Sequence, residues 1–186
     1  MRLGQLLFGL KKNLIELNEK PIYGFLLWFC ISIILSAIFY DPFNQPIRGD
    51  RAYLMYMSQE VYRGNAIYSS TTFGYTPLST LAVGYLMKFG ALFGLNTIAT
   101  ARIVGLALYG FISGTIFILL AKLFKDNFAP TLGAILFIGF GFIQIIAGVS
   151  AEPKIFVLAF TNLGMIFLIQ RKWLLVGLFF SAAAMS

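Results

Sequence analysis

The sequence predicts an all-α fold: a polytopic transmembrane helical bundle with interfacial juxtamembrane helices in its first external loop. Three observations carry that expectation. Hydrophobic residues make up 59% of the chain and charged residues only 11%, where a soluble domain carries about 25% charged residues. Apolar runs of roughly bilayer length recur, separated by short polar connectors. The 14 basic residues, which leave a net charge of +7, fall in small clusters between those runs. That is the pattern of topology signals; a nucleic-acid partner would call for one continuous basic face.

Residues 1–20 read as a basic amphipathic leader. Arg2, Lys11, Lys12 and Lys20 accompany Leu6, Leu7, Leu10, Leu14 and Leu17 at helical spacing, a pattern suited to an anionic membrane surface. The run 21–40 is the first expected span, because it meets the ~20 residues that a hydrocarbon core requires. Pro21 suits a first helical position. The run is too long for the apolar region of a signal peptide, and no A-x-A-like site precedes Asp41. An uncleaved anchor with a cytoplasmic N-terminus is therefore expected, in an integral multi-pass protein of the plasma membrane.

The expected external loop covers 41–97. Within it, Arg48 to Pro77 forms the one long stretch that could not sit in hydrocarbon. Asp50 is read as the cap of an interfacial helix over about 51–63, with Gly64 just past its end. Leu54, Met57 and Val61 form one stripe of that helix, and Gln59, Glu60 and Arg63 lie opposite, so Glu60 is expected on a solvated face. Residues 64–77, rich in Gly, Ser, Thr and Asn, read as irregular loop. A second interfacial helix is expected over about 78–95. Further spans are read at about 98–120, 128–149, 155–169 and 173–186. The last run breaks off at Ser186, so a truncated longer chain is expected.

Positive charge decides the placement of 78–95. If it lies at the interface, the four leader charges, Lys122 and Lys125, and Arg171 and Lys172 all face the cytoplasm. If it crosses, the last four move outside, and Lys88 adds ~2.5–3.5 kcal/mol of insertion cost near mid-span. The first arrangement also puts Asp50 and Glu152 on the same, external face.

Composition removes several chemistries. Cys30 is the single cysteine, so neither an intramolecular disulfide nor a thiolate zinc cluster can form. The absence of histidine removes the usual general base and the Ser-His triad. Proton transfer is left to Asp, Glu, Lys or Tyr, and cation binding to oxygen ligands.

The first loop reads Gly49-Asp50-Arg51-Ala52-Tyr53, then Gln59-Glu60, Arg63-Gly64, Tyr68 and Tyr75-Thr76-Pro77-Leu78; Ala101-Arg102 and Glu152-Pro153 follow. The order of these features, from about residue 20 to 186, resembles the N-terminal part of the GT-C glycosyltransferases. The likeness is greatest to the family-39, protein-mannosyltransferase-like and aminoarabinose-transferase-like integral membrane enzymes. Two positions depart from the pattern. Asp50 is followed by Arg51 where many relatives have an acidic pair, and Tyr75-Thr76-Pro77 stands where aminoarabinose-type members have Lys-Pro-Pro. The aminoarabinose donor is therefore not carried over.

The resemblance implies transfer of a sugar from a polyprenyl-phosphate donor to a protein, lipid or glycan acceptor at the outer membrane face, with inversion. Asp50 would be the base, near the surface where a lipid donor and an aqueous acceptor meet. Glu152 would bind the acceptor or, with Asp50, hold a divalent cation such as Mg or Mn. Arg48, Arg51, Arg63, Arg102 and Lys154 are the external cations that could face a phosphate, with Arg51 and Arg102 first because a guanidinium fork suits bidentate contact. Tyr53 would belong to the substrate surface. Plainer readings stand beside these. Asp50 fits a helix cap, Arg102 and Lys88 fit snorkelling side chains, and Tyr53, Tyr56, Tyr62, Tyr68 and Tyr75 fit an interfacial aromatic belt. A secondary transporter and a non-catalytic membrane subunit are the alternative functions.

Overall fold

The computed structural model describes residues 20–47, 49–66, 77–124, 128–140 and 151–186. Residues 1–19 of the leader, Arg48, the 67–76 stretch with Tyr68 and Tyr75, and Lys125 lie outside the described residues. Among those described the fold is all-helical. Its elements are α1 (Pro21–Tyr40), α2 (Asp50–Arg63), α3 (Pro77–Ala91), α4 (Thr97–Leu123), α5 (Ala129–Gly139), α6 (Pro153–Ile169) and α7 (Trp173–Ala184).

Among the described residues, two helices are long and apolar enough to cross a membrane, over Pro21–Phe39 and Thr97–Leu123. α6 covers the expected 155–169 and begins two residues earlier, at Pro153, whereas α7 and the described α5 are shorter than the spans read from sequence. α5, expected within 128–149, closes at Gly139, where Gly139-Phe140-Gly141 interrupts the run. Two glycines in three residues raise the entropic cost of continuing a helix; residues 141–150 lie outside the described part. α6 holds 17 residues and α7 holds 12.

α1 and α4 form the central pair. A Cβ on Gly110 would lie 2.9 Å from the carbonyl oxygen of Phe29, and one on Gly114 would lie 2.9 Å from that of Phe25. Small residues four apart let two helix backbones approach this closely. Gly24 faces Phe117 while Ile33 faces Gly110, so the two helices run antiparallel. The segment between them therefore leaves and rejoins the same end of the pair.

α5 returns along α4. Gly133 lies against Ile116 and Leu120, and the buried Tyr109 donates its hydroxyl to the Ile138 carbonyl at 3.3 Å. α6 runs back parallel to α4. Phe156 clusters with Ala101, Ile155 and Ala159 cluster with Tyr109 and Ile112, and Asn162 Nδ2 donates to Thr115 Oγ1 at 3.2 Å. α7 packs on α6 through Phe179 stacked on Phe167, centroids 5.3 Å apart. Its far end meets α3, where the Leu78 N–H donates to the Met185 carbonyl at 3.1 Å.

This alternation gathers four of the described cations at one end, while Arg51, Arg63, Arg102 and Lys154 share the other with the described acids. Lys20, Lys122, Arg171 and Lys172 lie at one end of the bundle. Every described acid, Asp41, Asp50, Glu60 and Glu152, lies at the other. That second end is built by α2 and α3. Met55 of α2 joins Val83 and Met87 of α3, Ala101 of α4 and Phe156 of α6 in one cluster. α3 stops at Ala91, short of the expected 95, because the chain turns through Gly94 at φ 73°. Asn96 then caps α4, accepting from the Ala99 N–H at 2.7 Å.

Candidate functional site

The residues singled out by sequence converge on the starts of α2 and α6. Gly49 caps α2 at φ 59° and ψ −137°, a conformation that side-chain-bearing residues avoid. Asp50 is thus the first helical residue and not the cap expected from sequence. Its carboxylate is exposed, and among the described residues it has no hydrogen-bonded or ionic partner. A carboxylate in the first turn is favoured by the helix dipole and remains open to solvent.

Arg51 and Glu152, 101 residues apart in sequence, meet here. Arg51 Nε donates to Glu152 Oε1 at 2.5 Å, with side-chain exposures of 26% and 9%. The structure therefore does bring Glu152 beside the Asp50–Arg51 step, through the guanidinium. This arrangement does not fit the expected divalent-cation site. A cation in contact with the Glu152 carboxylate already neutralises the anion that a metal would need, and it would repel the metal. Among the described residues no group of three or more His, Cys, Asp or Glu side chains could hold a metal ion.

The remaining cations separate by what they hold. Arg102 is 8% exposed, and its two terminal nitrogens donate to the carbonyls of Phe43 and Gln45. It ties the segment after α1 to the first turns of α4, so its fork faces the protein's own backbone and not an external phosphate. Its Nε is buried without a partner. Arg63 is exposed and donates to Glu60 Oε1 at 2.6 Å. Lys154 is exposed in the first turn of α6. Tyr53 is half-buried and packs against Met57 and Val61, on the core side of α2. Tyr56 is the exposed tyrosine of that helix.

Glu60 departs from the sequence reading. It is buried, because α2 is covered by more of its neighbours than a one-sided surface helix would be; Leu54, Met55, Met57, Ser58 and Val61 are buried with it. Its carboxylate accepts from Asn65 Nδ2 and from Arg63 Nη1, each at 2.6 Å. The Asn65 hydrogen bond first, and the Arg63 hydrogen bond and charge next, hold its pKa below the ordinary 4.5. With Gly64 closing the helix at φ 94°, this cluster fixes where the chain leaves α2. The i,i+3 spacing of Glu60 and Arg63 was the signal in the sequence. No sequence signal paired Arg51 with Glu152.

No protein-family model, no curated protein and no solved structure matches the chain.

Proposed function

We propose that this chain carries catalytic residues of a polytopic membrane glycosyltransferase of the GT-C type, with its N-terminus in the cytoplasm. It would move a sugar from a polyprenyl-phosphate donor to an acceptor at the external face of the plasma membrane. The reading rests on the GT-C-like order of sequence features, and the observation that supports it is that the described cations of the helix connectors share one end. Lys20, Lys122, Arg171 and Lys172 share one end, as cytoplasmic connectors do, and all described acids share the other. At that acidic end an exposed carboxylate, Asp50, stands next to a guanidinium, Arg51.

The chemistry follows from those two groups. The acceptor hydroxyl oxygen attacks the anomeric carbon as the bond to the phosphate oxygen breaks, and the bonding pair leaves with the phosphate. Asp50 takes the hydroxyl proton, and a nearby cation stabilises the charge that gathers on the departing phosphate. Attack opposite the leaving group inverts the anomeric configuration. No step runs through a metal. A secondary transporter would place ionisable groups midway along its helices. Among the described residues, α1, α5 and α7 carry no Asp, Glu, Lys or Arg, and those of α4 and α6 fall near the helix ends.

The test is Asp50→Asn, assayed for sugar transfer from polyprenyl-phosphate donors in membranes expressing the full-length protein. Transfer should fall by about 10²–10⁴-fold, the usual contribution of a general base, with expression and thermal midpoint unchanged. Wild-type transfer in Asp50→Asn would remove Asp50 as the base.

A further inference from the structure

We propose that Gly49 is a positioning residue: its backbone conformation starts α2 one residue early and so keeps the Asp50 carboxylate out of its own helix cap. That the freed carboxylate serves as a base rests on the transferase reading; its freedom rests on the geometry.

An aspartate at the head of a helix-forming run ordinarily becomes the cap. Its backbone turns extended, and a side-chain oxygen accepts from an amide N–H two or three residues on. For Asp50 those donors would be the N–H groups of Ala52 and Tyr53. Here both donate to the Gly49 carbonyl, at 3.0 and 3.3 Å. Gly49 has no side chain to offer, so α2 begins without a side-chain cap. The helix forgoes what a carboxylate cap contributes, and the exposed Asp50 carboxylate stays unpartnered among the described residues. A local preference overridden at an exposed acid marks a functional position.

Glycine is what holds this arrangement. At φ 59° and ψ −137°, Gly49 occupies the mirror image of the extended region, which a Cβ closes. Gly64, at φ 94° and ψ 8°, is left-handed, a conformation that Asn and Asp also visit. A Cβ on Gly49 would meet nothing within 4 Å, so the requirement comes from the backbone and not from space. An L residue held there weights the equilibrium against this helix start by about five- to a hundredfold. A carboxylate cap at Asp50 adds about fivefold in the same direction. Alanine at 49 should therefore move the helix start to Asp50. The body of α2 stays in place, because Glu152 holds Arg51 at 2.5 Å and Met55 packs with Val83, Met87 and Phe156.

The experiment treats the full chain in detergent with a water-soluble carbodiimide and a small amine, and reads each carboxylate by mass spectrometry. In wild type Asp50 should react faster than Glu60, which is buried and hydrogen-bonded. In Gly49→Ala the rate at Asp50 should fall about fivefold or more, as the cap engages the carboxylate. Gly64→Ala and Gly94→Ala are the matched controls, since each glycine also has positive φ and open space around it. Both should lower the thermal midpoint, as Gly49→Ala does, and leave Asp50 reactive. An unchanged rate at Asp50 in Gly49→Ala would overturn the proposal. So would a wild-type Asp50 no more reactive than Glu60, a comparison that needs no variant to fold. Sugar transfer separates this proposal from the transferase reading. A fall in transfer parallel to the fall in Asp50 reactivity supports both. Lost reactivity with full transfer would uphold the placement of the carboxylate and remove Asp50 as the base.

Discussion

At the scale of single residues, the acidic end is defined by what each charge already holds. Arg102 and Arg63 are engaged by the protein, Arg51 is held from one side, and Asp50 is open. The sequence ranks Arg102 beside Arg51 because a guanidinium fork suits bidentate contact with a phosphate. Only the carbonyls of Phe43 and Gln45 separate them. Glu60 leads to a prediction with a definite sign. Its folded pKa lies below 4.5, so the ionised carboxylate contributes stability above that value and loses it as pH falls through the lower folded pKa. The thermal midpoint in detergent should hold between pH 7 and 5 and drop below about pH 4.5. Glu60→Gln should lower the midpoint at neutral pH and flatten that acid limb. An acid limb identical to wild type in Glu60→Gln would show that Glu60 is not the titrating group.

At the scale of elements, packing of small residues sets how α1 meets α4. The sequence marked 21–40 and 98–120 as spans by length and apolar content, and both exist as helices, the second extended to Thr97–Leu123. What the pattern could not show is which face of α4 receives α1, because both helices are apolar all round. Gly110 and Gly114 decide it by letting the carbonyls of Phe29 and Phe25 come close. Gly114→Leu would drive a side chain into the ring and backbone of Phe25, with a cost of about 1–3 kcal/mol from overpacking. Denaturant titration in detergent should show that loss. Gly139→Leu, at a glycine with open space around it, should show far less; equal losses would mean that the α1–α4 seam is not held at Gly114.

At the scale of the whole molecule, the antiparallel α1–α4 pair makes the described parts of 41–96 a cap on one end of the bundle. Single cysteines on a Cys30→Ser background test this with an impermeant thiol reagent in intact cells. Ala52→Cys, Phe124→Cys and Lys154→Cys all lie at exposed positions. Labelling at 52 and 154 but not at 124 is expected; labelling at 52 and 124 but not at 154 would mean that 78–95 crosses the bilayer. By itself the sequence determined the all-helical class, the main apolar runs and the clustering of charge, because these follow from composition and from periods read along a single segment. It also determined the close of α2 at Gly64, because a left-handed cap is a local requirement. The tertiary structure alone decided that Glu152 belongs to Arg51, that Arg102 holds its own loop, and that Glu60 is buried. Each depends on which segments, distant in the chain, share a low-dielectric interior, where a charge must find a partner or stay in water.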